Sequence, residues 1–105
     1  MKCFSLKGKT VLITGASGGI GLALVKGFVE ASANVIATDL NLEPIKASIK
    51  NDCVIPFKLD VSNADEIKNV LQQARAYFDP VTVLINNAGI KSNERLIDGD
   101  VNKIQ

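Results

Sequence analysis

Apolar residues recur along this chain in two alternating rhythms. Thr10-Val11-Leu12-Ile13-Thr14 is a short β-branched run closed by a glycine-rich turn, which predicts a strand buried on both faces. Beyond the turn, Ile20, Leu24, Phe28 and Ala31 recur at helical spacing and predict an apolar stripe on a helix of roughly three turns. The rhythm then repeats. Asn34-Val35-Ile36-Ala37-Thr38-Asp39 predicts a second strand, and Leu42, Ile45 and Ile49 mark a short second helix whose Pro44 is tolerable only in the first turn. Val54-Ile55-Pro56-Phe57-Lys58-Leu59 predicts a third strand, and Pro56, unable to donate to a ladder, places it at a sheet edge. Ser62 followed by Asp65 has the form of a capping box, ahead of a stripe formed by Ile67, Val70, Leu71, Ala74 and Phe78. Val81-Thr82-Val83-Leu84-Ile85 predicts a fourth strand before Asn86-Asn87-Ala88-Gly89.

Strands alternating with helices of this length imply right-handed crossovers and a parallel sheet with helices on both faces. The expected fold class is therefore α/β: a Rossmann-type doubly wound parallel sheet, its first half, with four strands in the order 3-2-1-4. An outermost third strand agrees independently with Pro56. From Ile90 onward the pattern fades; Lys91 to Arg95 reads as loop, and Leu96 to Gln105 as the start of another helix.

Composition narrows the function classes. With 105 residues, the chain has room for one domain. Its 47% hydrophobic and 22% charged residues fit an ordinary globular protein and neither a disordered nor a membrane-spanning one. Twelve basic against eleven acidic side chains make no field that would recruit nucleic acid or an anionic membrane. Lys7 and Lys9 interrupt any apolar secretory core, so a cytoplasmic address is expected. Cys3 and Cys53 lack the C-x-x-C spacing and read as reduced structural thiols. The chain has no histidine, which removes Ser-His-Asp and Cys-His machinery together with the commonest zinc ligand, and no metal site is expected.

The chemistry-bearing residues gather at the carboxyl ends of the predicted strands. Thr14-Gly15-Ala16-Ser17-Gly18-Gly19-Ile20-Gly21 lies between the first strand and the first helix, where amides at a helix N-terminus and the helix dipole form an anion site. Positions without side chains let a pyrophosphate approach the backbone, and Gly21 lets helix pack on strand. The alternative is a purely structural turn. No Gly-Lys-Ser/Thr follows, which excludes a P-loop. Asp39 closes the second strand near the offset at which an acidic residue reads an adenosine ribose, or it caps the loop. Asp60 and Val61 either meet an adenine edge or belong to the turn ahead of the Ser62 cap. Asn86 and Asn87 fall where the strand order reverses, the crevice in which ligands of open α/β sheets sit, and can tie loop backbone or touch a ligand.

Thr14-Gly-Ala-Ser-Gly-Gly-Ile-Gly21, Asp39, Asp60-Val61 and Asn86-Asn-Ala-Gly89, in this order and at these intervals, resemble the short-chain dehydrogenase/reductase family from about Leu6 to about Ile90. The resemblance implies residues 1–105 as a single NAD(P)-binding Rossmann domain that stops before the catalytic half. It implies that Gly15, Ser17, Gly18, Gly19 and Ile20 surround the pyrophosphate and nearby ribose, and that Asp39 holds the adenosine ribose hydroxyls. Leu40, Asp60 and Val61 would border the adenine, and Asn87, Ala88 and Gly89 would lie near the second ribose, with Asn86 bracing the sheet. The implied cofactor is NAD, since Asp39 opposes a 2′-phosphate and Gly18 stands where NADP-using relatives often carry a basic residue. The implied activity is hydride transfer between NAD(H) and a small carbonyl compound or secondary alcohol, in a protein for which a homo-oligomer is also allowed.

The departure from the family pattern is as informative. The family's Tyr and Lys one helical turn apart, with their assisting Ser and Asn, have no counterpart here, and no catalytic residue is assigned. The only tyrosine is Tyr77, with Val81 four positions later, and its place on an amphipathic stripe assigns it to packing. The alternative function is a non-catalytic dinucleotide-binding or subunit-interaction protein. A methyltransferase is disfavoured by the glycine turn and by Asn86-Asn-Ala-Gly89.

Overall fold

The computed structural model describes residues 5–87 of the chain. The expectations for Ala88 to Gln105, and for Cys3, fall outside these residues. Seven elements follow one another as β1 (Thr10–Thr14), α1 (Gly19–Glu30), β2 (Asn34–Asp39), α2 (Glu43–Ser48), β3 (Val54–Lys58), α3 (Ala64–Ala74) and β4 (Val81–Asn86). The strands form one parallel sheet in the order β3-β2-β1-β4. This is the expected doubly wound arrangement.

Side chains of a strand alternate between its two faces, and β1 and β2 are apolar on both. Val11, Ile13, Val35 and Ala37 pack on one side with Val25 of α1 and Ile45 of α2. Leu12 and Ile36 pack on the other with Leu59, Val70 and Ala74, the last two from α3. Every residue of β1 is buried. β3 lies at one edge, with Pro56 opposite Ala37, where its missing N–H faces away from the ladder. β4 forms the other edge and alternates half-buried Val81, Val83 and Ile85 with exposed Thr82, Leu84 and Asn86. A register shift between Thr10 and Val11 lets Thr10 face Val81 and Val11 face Val83, so Thr82 bulges out of the pairing.

Two local expectations are corrected. The face that α1 buries runs through Gly21 and Val25, with Leu22, Leu24, Phe28 and Val29 packed alongside, while Ile20 is 64% exposed and Ala31 already caps the helix. The cause is Gly21: without a side chain it sits against Gly15 and Ala16, and this contact sets the rotation of the helix about its axis. The second correction concerns the start of α3. Its N-cap is Asn63, whose Oδ1 accepts from the amides of Asp65 (3.0 Å) and Glu66 (3.2 Å). Ser62 is instead held one position upstream by Asp60. Asn63→Ala is therefore expected to lower stability by about 1 kcal/mol, read from denaturant melts. An equal loss from Ser62→Ala would contradict the assignment of the cap.

Tyr77 lies in the turn that follows α3 and is 59% exposed. Its ring meets Phe57 edge-on, centroids 6.5 Å apart and planes at 66°. It packs, as expected, but beyond the helix and at the surface. Among the described residues Cys53 is a half-buried free thiol. No helix among them is long and apolar enough to cross a membrane.

Candidate functional site

The carboxyl ends of the four strands bring the expected residues to one edge of the molecule. The chain leaves β1 through Gly15, whose φ of +64° lies in the left-handed region that favours glycine. It then turns through Ala16 and Ser17 into α1. A Cβ on Gly21 would come within 2.1 Å of the Gly15 carbonyl oxygen and 2.7 Å of Ala16 Cα, so this glycine is required by the fold itself. Gly18 and Gly19 differ. A Cβ on Gly18 would meet nothing closer than 3.9 Å, and one on Gly19 nothing within 4 Å. The fold leaves open space at these two positions.

Gly18 is also the N-cap of α1, with no side chain capping the helix and no acidic residue in its first turn. The first-turn amides, which have no partner inside a helix, and the positive end of the dipole therefore meet no carboxylate of their own. An anion fits this cradle.

The β2 end is tied to the turn. Ala16 N–H donates to the Thr38 carbonyl (2.9 Å), and Ser17 N–H donates to Asp39 Oδ2 (3.0 Å). Asp39 Oδ1 accepts from the amides of Leu40 (2.7 Å) and Asn41 (3.3 Å). The Ser17 hydroxyl donates to the Asn41 carbonyl. Asp39 thus braces the glycine turn as well as facing outward, so the cap reading and the ligand reading of this residue are geometrically compatible.

A cleft of about 410 Å³ opens beside these groups, lined by Gly15, Asp39, Leu40, Leu59, Asp60, Val61 and Ser62. Leu40 and Val61 present apolar surface to it, 60% and 43% exposed. Among the described residues, two carboxylates and no cation border the cleft, which suits donors such as hydroxyls or an exocyclic amine. Asp60 is fixed from several directions: its N–H donates to Glu66 Oε1 (3.0 Å), and its Oδ1 accepts from the Ser62 hydroxyl (2.6 Å) and amide (2.9 Å).

The Ser62 hydroxyl, and after it the Ser62 amide, hold the Asp60 carboxyl below its ordinary value of 3.8, against a small opposing effect of burial. A depressed folded-state pKa stabilises the fold above the ordinary value, and the contribution disappears as pH falls through the depressed one. Carboxyl carbon titration by NMR is expected to give a midpoint below that of an ordinary aspartate. Ser62→Ala should raise it; an unmoved midpoint would show that the hydroxyl does not set it.

At the end of β4, Thr14 Oγ1 donates to Asn86 Oδ1 (3.0 Å), and Asn87 N–H donates to Thr14 Oγ1 (2.9 Å). Asn87 Nδ2 donates to the Gly15 carbonyl (3.0 Å). Asn86 braces the sheet in the expected way, and Asn87 in addition holds the first residue of the glycine turn. Gly15, Ser17, Gly18, Gly19, Ile20, Asp39, Leu40, Asp60, Val61 and Asn87 all lie at this edge, while Ala88 and Gly89 lie outside the described residues. Sequence reasoning missed Leu59, Ser62 and Asn41. Leu59 was legible only as a strand residue and Ser62 only as a cap, and the part played by Asn41 rests on its backbone carbonyl, which carries no sequence signal.

Comparison with known proteins gives a consistent picture. The family profile described as short chain dehydrogenase matches residues 9–105. A 3beta-hydroxysteroid dehydrogenase 2 of Eggerthella lenta is 38% identical over 93 residues, covering 84% of this chain and 36% of that protein. The 3-oxoacyl-[acyl-carrier-protein] reductase FabG of Thermotoga maritima is 37% identical over 97 residues, covering 88% and 39%. The chain thus spans somewhat over a third of the length of these relatives. Among solved structures, a short-chain dehydrogenase/reductase from Brucella melitensis superposes with a TM-score of 0.70 at 32% identity, over 77% of this chain and 36% of that one. A 3-ketoacyl-(acyl-carrier-protein) reductase of the same organism, complexed with NADH, does so with a TM-score of 0.70 at 28% identity, over 76% and 34%.

Proposed function

This chain belongs to the short-chain dehydrogenase family, and on that premise we propose that it supplies the NAD-binding half of an oxidoreductase acting on a small carbonyl compound or secondary alcohol. The observation that carries the reading is the open cradle at Gly18 and Gly19, where two glycines have no steric duty toward their own fold and stand at an uncapped helix N-terminus. The same cradle opens beside the Asp39 cleft, since Gly15 and Asp39 both line it. A relative with an NADH complex supports the choice of dinucleotide.

In this reading the pyrophosphate lies on the first-turn amides of α1, beside Gly15, Ser17, Gly18, Gly19 and Ile20. Asp39 accepts from the adenosine ribose. Leu40 and Val61 sandwich apolar surface against the adenine, and Asp60, oriented by Ser62, accepts from its amine. Asn87, with Ala88 and Gly89, borders the second ribose, and its bond to Gly15 holds the two ends of the crevice at a fixed separation. When bound, the nicotinamide supplies or takes up the hydride, and these residues orient it and exclude water. Calorimetric titration with NAD tests the reading directly; absence of binding by a folded protein would remove it.

The reaction also needs a proton donor beside the substrate. Tyr77 is assigned to packing on Phe57, and no other tyrosine is present. Residues 1–105 by themselves are therefore expected to reduce no carbonyl substrate with NADH. NADH oxidation dependent on an added ketone or aldehyde, persisting after trace host enzymes are removed, would contradict this.

A further inference from the structure

Asp65 and Glu66 both stand in the first turn of α3, where negative charge suits the helix dipole. Asp65 is exposed, whereas Glu66 is half-buried. Glu66, Val70 and Ala74 follow one another at intervals of four and so share one face of the helix, and Val70 and Ala74 are the residues with which α3 packs on Leu12 and Ile36. A carboxylate thus heads the stripe that faces the sheet. The dipole alone does not call for this position, since Asp65 serves it from the solvent side. What Glu66 meets there is the amide of Asp60, which donates to its Oε1 at 3.0 Å. The other bonds of Asp60 are local: its carboxylate accepts from the Ser62 hydroxyl and amide, and its carbonyl accepts from Asn63 N–H (3.0 Å). These span two or three residues and travel with the turn, while the Glu66 bond spans six and ends on a helix face fixed in the core. On the other side Leu59 N–H donates to the Asp39 carbonyl (3.0 Å). The cleft wall formed by Asp60, Val61 and Ser62 is therefore held between β2 and the core-facing side of α3.

We infer that Glu66 is a positioning residue for base recognition: by holding the Asp60 amide it sets where the Asp60 carboxylate stands relative to the adenine amine. This rests on the reading of Asp60 as the adenine ligand. Glu66 is not among the residues that line the cleft, so it acts through Asp60 alone. A hydrogen bond to a carboxylate is shorter and stronger than one between neutral groups, which suits it to fix a turn that has no secondary structure of its own. Without it the Asp60 amide has no protein acceptor, and the turn re-forms toward water and takes the carboxylate with it.

The test compares NAD with nicotinamide hypoxanthine dinucleotide, in which a carbonyl oxygen replaces the adenine amine and takes away the proton that Asp60 accepts. Wild type, Glu66→Ala, Glu66→Gln and Asp65→Ala are titrated with both by calorimetry, each as the full chain. Wild type is expected to favour NAD about tenfold, the lower end for one hydrogen bond to a charged group. Glu66→Ala should lose that preference by weakening NAD about tenfold, while its unchanged affinity for the hypoxanthine analogue reports that the variant is folded. Glu66→Gln keeps an oxygen acceptor at the same reach and should retain most of the preference. Asp65→Ala removes a first-turn charge from the exposed side and should retain all of it. A Glu66→Ala variant that keeps the wild-type preference, whether or not both affinities fall, would overturn the inference, because Glu66 would then serve only the helix end. A loss in Asp65→Ala or Glu66→Gln as large as in Glu66→Ala would overturn it as well, by tracing the effect to charge and not to the bond. Equal binding of the two dinucleotides by the wild type would instead overturn the reading of Asp60 as the adenine ligand.

Discussion

Titrated with both dinucleotides, the protein is expected to bind NAD roughly a hundredfold more tightly than NADP. A hydrogen bond from a hydroxyl to the charged Asp39 contributes about 1.5–3 kcal/mol. A 2′-phosphate 4 Å from that carboxylate costs on the order of 4 kcal/mol at a surface-like dielectric. The cleft is open to solvent, so we count about half of the combined difference, near 3 kcal/mol, which is the hundredfold. The three backbone amides on Asp39 refine the argument, because they leave room for one hydroxyl and make repulsion the larger contribution. Among the described residues, no positive side chain lines the cleft to offset it. Asp39→Asn removes the charge while keeping an acceptor, and should gain in NADP affinity more than it loses in NAD affinity. Equal binding of the two dinucleotides by the wild type would sink the assignment of NAD. Asp39→Ala also takes the acceptor from Ser17, Leu40 and Asn41, and should lose affinity for both.

The second large effect separates two glycines that look alike in the sequence. Gly21→Ala is expected to lower the melting temperature by about 10 °C or more, since overpacking costs about 1–3 kcal/mol or beyond and small domains lose several degrees per kcal/mol. The atoms in the way belong to the backbone of Gly15 and Ala16, so relief requires the helix to lift from the strand. Gly19→Ala meets no neighbour and sits in the first turn of α1. It should leave stability unchanged or raise it by about 0.5–1 kcal/mol through its lower chain entropy. Its affinity for NAD should nevertheless fall about tenfold, as the methyl group would occupy space that the proposed reading gives to the pyrophosphate. Only the first substitution is therefore expected to lower stability, while the second acts on binding in a protein that stays folded. A Gly19→Ala variant with wild-type affinity would reduce the glycine turn to a structural corner.

These two glycines also mark the boundary between what is legible in a sequence and what is not. Element order, the parallel sheet and the edge position of β3 were readable because they depend on local properties: β-branched runs, turn residues, helical spacing, and a proline that cannot donate. The clustering of the site followed from them, since a doubly wound sheet brings the carboxyl ends of its strands together whatever the loops contain.

What only the tertiary structure decided are matters of one atom against another far away in the chain. The side of α1 that faces the core follows from Gly21 sitting on Gly15, so Ile20, which fits the apolar stripe by spacing, turns outward. Asn63 caps α3, its Oδ1 accepting from Asp65 and Glu66, while the Ser62 hydroxyl and amide are turned to Asp60, an arrangement invisible to a capping pattern. Asp39 meets Ser17 across 22 residues, and Asn87 meets Thr14 and Gly15 across more than 70. Sequence alone names these side chains by type and position. Which lone pair or proton each has left for a ligand is set by contacts that exist only once the strands lie side by side.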